Sequence, residues 1–434
     1  MHLTQQIAQR PMSLYQWAIV LMATLLNLLD GFDVLALAFT ASGIRSEFVL
    51  SNSELGYLLS AGVFGMAAGS LFLAPIADKI GRRPLLLISV LLSALGMFGS
   101  YLANNADILA IWRVITGLGV GGILVGTNVL TSEYSSKKWR SLAISIYAAG
   151  FGIGAMLGGL FAVQLQAEYG WRSVFLVGAA LTALCWICLI IWLPESIDYL
   201  LNKQPKNAQV RLNRILKKMG ITETYLLTPP AQRTQKALPL TQIFSAQYLT
   251  STLAIWLAFF TIMASFYFIS SWTPALLKEN GMSTEQSVII GIMISLGGTG
   301  GALLYGLLAS YWKAQKVLIF FTLISAVVVI AFILSSALLW LAMLLGVLVG
   351  ALINGCISGL YTLNPSIYAS DIRSTGVGWS IGVGRIGAIL SPIAAGFLLD
   401  QGWEKQNLYI GAAIMLLIAA LALSLLKPSS VNQA

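Results

Sequence analysis

The stretch Asn27-Leu28-Leu29-Asp30-Gly31-Phe32-Asp33 lies inside an apolar run from about Trp17 to Phe39. A run of that length crosses a bilayer as a helix, which takes about 20 residues. Each Asp at the centre of a spanning helix costs roughly 2.5–3.5 kcal/mol, so two of them need a purpose. Three residues apart, Asp30 and Asp33 share one helical face with Asn27. Gly31 between them admits the close approach of a second helix or of a ligand. Acids at this depth either mark a substrate or proton path or form a polar pair that joins helices.

The surrounding composition fits a membrane. Of 434 residues, 58% are hydrophobic and 9% are charged, where about 25% charged is usual in soluble domains. The net charge of +9 would suit nucleic acid, but the cations fall in the loops between apolar runs, which excludes that partner. A short polar tail with Arg10 precedes the first run. That run is too long, and lacks the small-residue exit, for a cleaved signal peptide, so it is expected to be an uncleaved signal-anchor. Cys185, Cys188 and Cys356 sit in apolar segments and read as small core residues. His2 is the only histidine, so no imidazole carries protons inside the membrane. No metal site, phosphate loop or nucleophile–base pair is present, so neither an enzyme nor a cofactor is expected.

Apolar segments recur near 17–39, 54–76, 85–103, 108–130, 142–164 and 172–193, then near 248–274, 284–309, 317–337, 338–362, 376–399 and 406–426. The expected organisation is all-α: a six-helix half over 1–194, a cytoplasmic linker over 195–247 and a second six-helix half over 248–434. With the N-terminus inside, the outer side holds only Arg45, Arg172, Lys278 and Lys405, and Arg113 and Arg385 fall within spans. All other Lys and Arg residues are internal, including Arg233, Lys236 and Lys427. This asymmetry predicts that both termini are cytoplasmic. In the linker, Arg211, Arg214, Lys217 and Lys218 have helical spacing. They predict either short amphipathic helices on the membrane surface or a solvated charged loop.

The halves repeat at a constant offset. One shift carries Arg140-Ser141 onto Arg373-Ser374, Ile153-Gly154-Ala155 onto Ile386-Gly387-Ala388, and Gly117, Gly122 and Gly126 onto Gly350, Gly355 and Gly359. Two halves related about the membrane normal are the arrangement of a rocking transporter. The same shift places Arg385 opposite Gly152, and Asp30 and Asp33 opposite Met263 and Phe266. The acids come from one half and the extra base from the other.

Between the second and third spans stands Asp78-Lys79-Ile80-Gly81-Arg82-Arg83, with Ala74 ahead of it. It resembles the loop signature G-x-x-x-D-R/K-x-G-R-R of the major facilitator superfamily, with alanine for the leading glycine. Arg113 to Gly121 is similar to that superfamily's R-x-x-x-G-x-G-x-G. Pro194-Glu195-Ser196 closes the sixth span as in many members. Asp30-Gly31-Phe32-Asp33 resembles the D-G-F/Y-D motif of its aromatic acid:proton symporters, and Gly376-Val377-Gly378-Trp379 followed by Gly384-Arg385-Ile386-Gly387 resembles their eleventh span. The resemblance implies a twelve-helix major facilitator fold in a bacterial inner membrane. It also implies proton-coupled uptake of aromatic carboxylates or of ring-cleavage acids such as muconate.

The ionisable side chains expected within spans are Asp30, Asp33, Arg113 and Arg385. Two carboxylates this close do not both ionise readily, so the pair is expected to carry the proton as a coupled unit. Arg385 is expected near mid-membrane, either holding the substrate carboxylate by two parallel hydrogen bonds or bridging to Asp30 or Asp33. Arg113 is expected at the height of the acids, as a movable or a fixed charge partner. Asn27, Phe266, Tyr267, Asn354 and Tyr361 are candidate substrate contacts: rings for stacking, amides for a polar edge. Asp78, Gly81, Arg82, Arg83, Glu133, Arg140 and Arg373 form the candidate cytoplasmic gating set. A drug antiporter fits poorly with two core arginines, a sugar porter wants more amides, and an acid sensor lacks a signalling domain. The expected partners are a small organic acid, protons and lipid, with the chain acting as a monomer.

Overall fold

Hydrophobic length sets the elements. The computed structural model describes residues 7, 9–221, 225–227, 240–335, 338–368 and 372–426, without the side chains at 74, 78, 141, 240, 241 and 374. Arg233, Lys236, Lys427 and the side chain of Asp78 therefore lie outside the described residues. All regular elements among the described residues are helical, and twelve are long and apolar enough to cross a membrane. In the first half these are α1 (Leu14–Phe48), α2 (Asn52–Ile80), α3 (Arg82–Leu102), α4 (Ala106–Tyr134), α5 (Arg140–Tyr169) and α6 (Arg172–Trp192). Two short helices follow, α7 (Ile197–Asn202) and α8 (Ala208–Lys218). The second half supplies α9 (Leu249–Glu279), α10 (Thr284–Tyr311), α11 (Ala314–Leu334), α12 (Leu339–Ile367), α13 (Arg373–Asp400) and α14 (Lys405–Ser424). Several helices outrun the apolar runs that predicted them, because polar caps extend them. Asn105 accepts from the Ile108 amide at the start of α4, and Ser283 and Gln286 form a capping box on α10.

The chain packs into two compact units. The first comprises Met1–Val34, Phe64–Ala155 and Arg172–Gln235. Here α3 packs on α4 and α6. The backbones of α1 and α5 approach so closely that only glycine fits: a Cβ on Gly31 would lie 2.1 Å from the Phe151 carbonyl oxygen, and one on Gly154 would lie 1.8 Å from that of Leu28.

The linker helix α8 is one of the short amphipathic helices expected of this stretch, not a solvated loop, and its apolar face meets protein. Ala208, Leu212, Ile215 and Leu216 are buried in a cluster with Ile19, Leu26, Tyr134, Leu193 and Leu200. Each buried Leu or Ile contributes about 1.5–3 kcal/mol of apolar burial. An amphipathic stripe reads alike whether acyl chains or protein will cover it. Arg211, Arg214, Lys217 and Lys218 stay on the exposed side.

The second unit comprises Leu35–Val63, Met156–Trp171 and Lys236–Ala434. In it α10 packs on α12, α9 on α13 and α14, and α11 on α12 and α14. The Asp400 carboxylate accepts from the amides of Asn52 (3.0 Å) and Ser53 (2.8 Å), an acid placed at the positive end of α2. Glu279 pairs with Arg45 and lies 3.5 Å from Lys405.

Candidate functional site

In the first unit, α1 carries Asn27, Asp30 and Asp33 into the interior, with 3%, 1% and 0% exposure. The close α1–α5 crossing at Gly31 leaves no room for solvent on that side. Ser93 of α3 donates to Asp33 Oδ2 at 2.7 Å. Arg113 of α4 is equally buried. Its Nη2 donates to the Asp33 main-chain carbonyl at 2.7 Å, its Nη1 meets Met97 Sδ at 3.1 Å, and its guanidinium lies 5.6 Å over the Phe175 ring. Arg113 thus stands at the height of the acids, bonded to the Asp33 carbonyl while within electrostatic range of its carboxylate. Asp30 lies within range of Asp33 and of Tyr147 on α5. Asn27 Nδ2 donates to the Tyr147 carbonyl at 2.7 Å, so this amide is engaged inside the unit. Asp30 Oδ2, Asp33 Oδ1 and Asn27 Oδ1 are buried without a hydrogen-bond partner among the described residues.

At the other end of this unit the loop motif meets the close of α6. Gly81 adopts φ +102°, a turn that favours glycine. Glu195 Oε1 accepts from the amides of Arg82 (2.8 Å) and Arg83 (3.0 Å), capping α3. Ser196 donates to Glu133 Oε2 at 2.7 Å, and Arg82 Nε lies 3.6 Å from Glu133 Oε1. Arg83 donates to the Ile190 carbonyl. Sequence reading placed Glu195 in a family motif but did not reveal its capping role, which needs a contact more than a hundred residues away. Arg140 is exposed, and the backbone of Asp78 belongs to α2.

The second unit builds around Arg385. Gly384 and Gly387 flank it and let α13 lie against α9: a Cβ on Gly387 would sit 2.3 Å from the Phe260 carbonyl oxygen. Arg385 is half-buried, and its Nη1 donates to the Tyr267 hydroxyl at 3.2 Å. The Tyr361 phenol of α12 lies within electrostatic range. Tyr361 packs edge-on against Phe259 at 5.8 Å, and Tyr267 against Phe266 at 5.2 Å. Among the described residues of its own unit, Arg385 has no ion pair with a carboxylate. Asn354 donates to the Gly350 carbonyl at 3.1 Å and packs against Gly298. Arg373 Nε donates to the Tyr368 carbonyl at 3.4 Å.

Sequence reading did not single out Ser93 or Tyr147. Hydroxyls are common in spanning helices, and nothing in their spacing singles these out.

The sequence profile of the Major Facilitator Superfamily matches residues 23–364. The chain is 32% identical to the 4-hydroxybenzoate transporter PcaK of Pseudomonas putida, over 96% of this chain and 93% of that protein. It is also 32% identical to the gallate transporter of Pseudomonas putida, with the same coverage. Among solved structures, the xylose transporter XylE from E. coli in an inward open conformation superposes with a TM-score of 0.77 at 19% identity, covering 96% of this chain and 98% of that one. That likeness speaks to the fold.

Proposed function

Because this chain belongs to the Major Facilitator Superfamily, and is a multi-pass membrane transporter rather than an enzyme, we propose that it imports aromatic carboxylates with protons across a bacterial inner membrane. The observation that carries the reading is Arg385: a permanent cation in a spanning helix, bonded to one phenol and with no carboxylate partner among the described residues of its own unit. A guanidinium in that position is completed by a carboxylate, through two parallel hydrogen bonds. The rings of Tyr267, Phe266, Tyr361 and Phe259 supply faces and edges for an aromatic acid. Relatives that carry 4-hydroxybenzoate and gallate favour ring-bearing acids over muconate.

Asp30 and Asp33 are the proton carriers in this reading, with Arg113 holding the backbone beside them. A monoanion entering alone moves against an inside-negative potential at roughly 2.3 kcal/mol per charge per 100 mV, and one co-transported proton removes that penalty. The repeated halves 1–194 and 248–434, joined by 195–247, are the bodies that alternate. Both termini face the cytoplasm and a single chain suffices as a monomer.

The test is uptake of labelled 4-hydroxybenzoate into proteoliposomes with acid outside. Uptake should rise with the imposed pH difference and collapse with a protonophore. Excess unlabelled benzoate-type acids should compete, and xylose should not. Uptake indifferent to the gradient would overturn symport, and preferential competition by muconate would move the substrate class to ring-cleavage acids.

A further inference from the structure

A carboxyl group sealed from solvent exchanges its proton only if polar atoms or water lead to it. Asp30 is so sealed, and Asn27, on the same face three residues before it, donates to the main-chain carbonyl of Tyr147 at 2.7 Å. The Thr127 hydroxyl of α4 is 3.1 Å from the Tyr147 hydroxyl. Beyond Thr127, toward the α4 terminus, the same face carries Thr131 and Ser135, at the four-residue interval that stacks side chains along a helix. Tyr147 is 5% exposed, Thr127 1%, Thr131 and Ser135 0%.

The α4 hydroxyls, and that of Ser135 which caps the helix, donate to the carbonyl four residues back: Thr127 to Ile123 (2.7 Å), Thr131 to Thr127 (2.8 Å) and Ser135 to Thr131 (2.6 Å). Each hydroxyl oxygen therefore keeps lone pairs to accept. From Thr127 to Ser135 the stripe covers about 12 Å at 1.5 Å per residue, in steps of about 6 Å that one water each would span. Partnerless buried oxygens stand at both ends: Asp30 Oδ2 and Asn27 Oδ1 at one, Ser136 Oγ at the other. Buried polar atoms lacking protein partners are where ordered water resides. Ile123 and Leu130, both buried, keep the neighbouring surface of α4 apolar.

We propose that Tyr147 is a positioning residue for the coupled proton, its hydroxyl and that of Thr127 heading a hydrated lane along Thr131 and Ser135 from Asp30 to the Ser135 end of α4. The inference rests on the proton-symport reading. A proton leaving the Asp30 carboxyl bonds to the next oxygen while that oxygen passes its own proton onward. One proton moves and no bond to carbon changes. The charged or titratable groups around the head of the lane are Asp30 and, beyond it, Asp33 on α1, with Cys185 on α6; Glu133, Tyr134 and Glu195 stand near its Ser135 end.

The test compares two rates in proteoliposomes: net uptake driven by a pH gradient, and exchange of labelled for unlabelled 4-hydroxybenzoate at equal pH. Exchange needs no proton release; net uptake does. Tyr147→Phe and Thr127→Val should lower net uptake about tenfold or more and leave exchange within about twofold of the unaltered protein, while Thr127→Ser keeps both. Thr322→Val removes an equally buried hydroxyl bonded to the Leu318 carbonyl in the second unit, and should leave both rates in place. Net uptake and exchange falling together in Tyr147→Phe would assign Tyr147 to packing and overturn the lane, as would unchanged net uptake. Gradient-insensitive uptake by the unaltered protein would instead bring down symport, and the lane with it.

Discussion

The two units treat buried charge in opposite ways. In the first, Asp33 has a hydroxyl from Ser93, and Arg113 is bound by a carbonyl, a thioether and a ring face. Both are sealed: Asp33 is 0% exposed and Arg113 3%. In the second, Arg385 is half-buried and has one phenol. A charge enclosed by its own protein suits a ligand as small as a proton. A cation left short of a counter-charge suits an anion that arrives from outside. In the proposed reading, the difference in enclosure, more than the residue types, separates the proton site from the substrate site.

The largest expected effect breaks the first side of this contrast. Asp33→Asn keeps shape and hydrogen bonding to Ser93 but removes the ionisable group. Net proton-driven uptake should fall about a hundredfold, within the range of lost acid–base groups, with exchange far less affected. Equal loss of both rates would make Asp33 a structural residue. Arg385→Lys tests the other side. Lysine keeps the charge and loses the planar fork, so the KM for 4-hydroxybenzoate should rise about tenfold, equivalent to about 1.4 kcal/mol. An unchanged KM would remove the clamp.

Smaller effects sharpen the same contrast through the neighbours. Ser93→Ala leaves Asp33 Oδ2 without its donor, and Tyr267→Phe leaves Arg385 without its phenol. Lost hydrogen bonds to charged groups cost about 1.5–3 kcal/mol when nothing replaces them. Ser93→Ala, in a sealed site, should therefore lower gradient-driven uptake several-fold with KM little changed. Tyr267→Phe, in a half-open site where water substitutes, should raise KM by about threefold at most. If the two variants behaved alike, the distinction between sealed and open sites would fail.

Much of this could be read from the chain because the bilayer makes polarity expensive. Twelve spans follow from apolar length, and Asp30, Asp33, Arg113 and Arg385 stand out because each is costly where it lies. What stayed hidden is what depends on partners. Tyr147 and Thr127 look like any hydroxyls in a membrane helix, since a threonine bonded to the carbonyl four residues back leaves no mark on the pattern. The apolar face of α8 gave no hint that Leu212 and Leu216 meet protein. Arg45 read only as an outer cation, because Glu279 lies more than two hundred residues further along the chain.

That last pair carries the smallest prediction. Arg45 and Glu279 are each 31% exposed, and Lys405 shares the same carboxylate. Ion pairs so open to solvent contribute about 0–1 kcal/mol, and salt screens them. Arg45→Gln should therefore change uptake by less than about threefold in low salt, and the difference should vanish in high salt. Arg385→Lys should show its KM effect in both, because the planar fork that lysine lacks is a matter of geometry that salt does not screen. A salt-proof defect in Arg45→Gln would mean that the exposed cluster does more than steady helix ends, and the contrast between enclosed and open charge would have to be redrawn to include it.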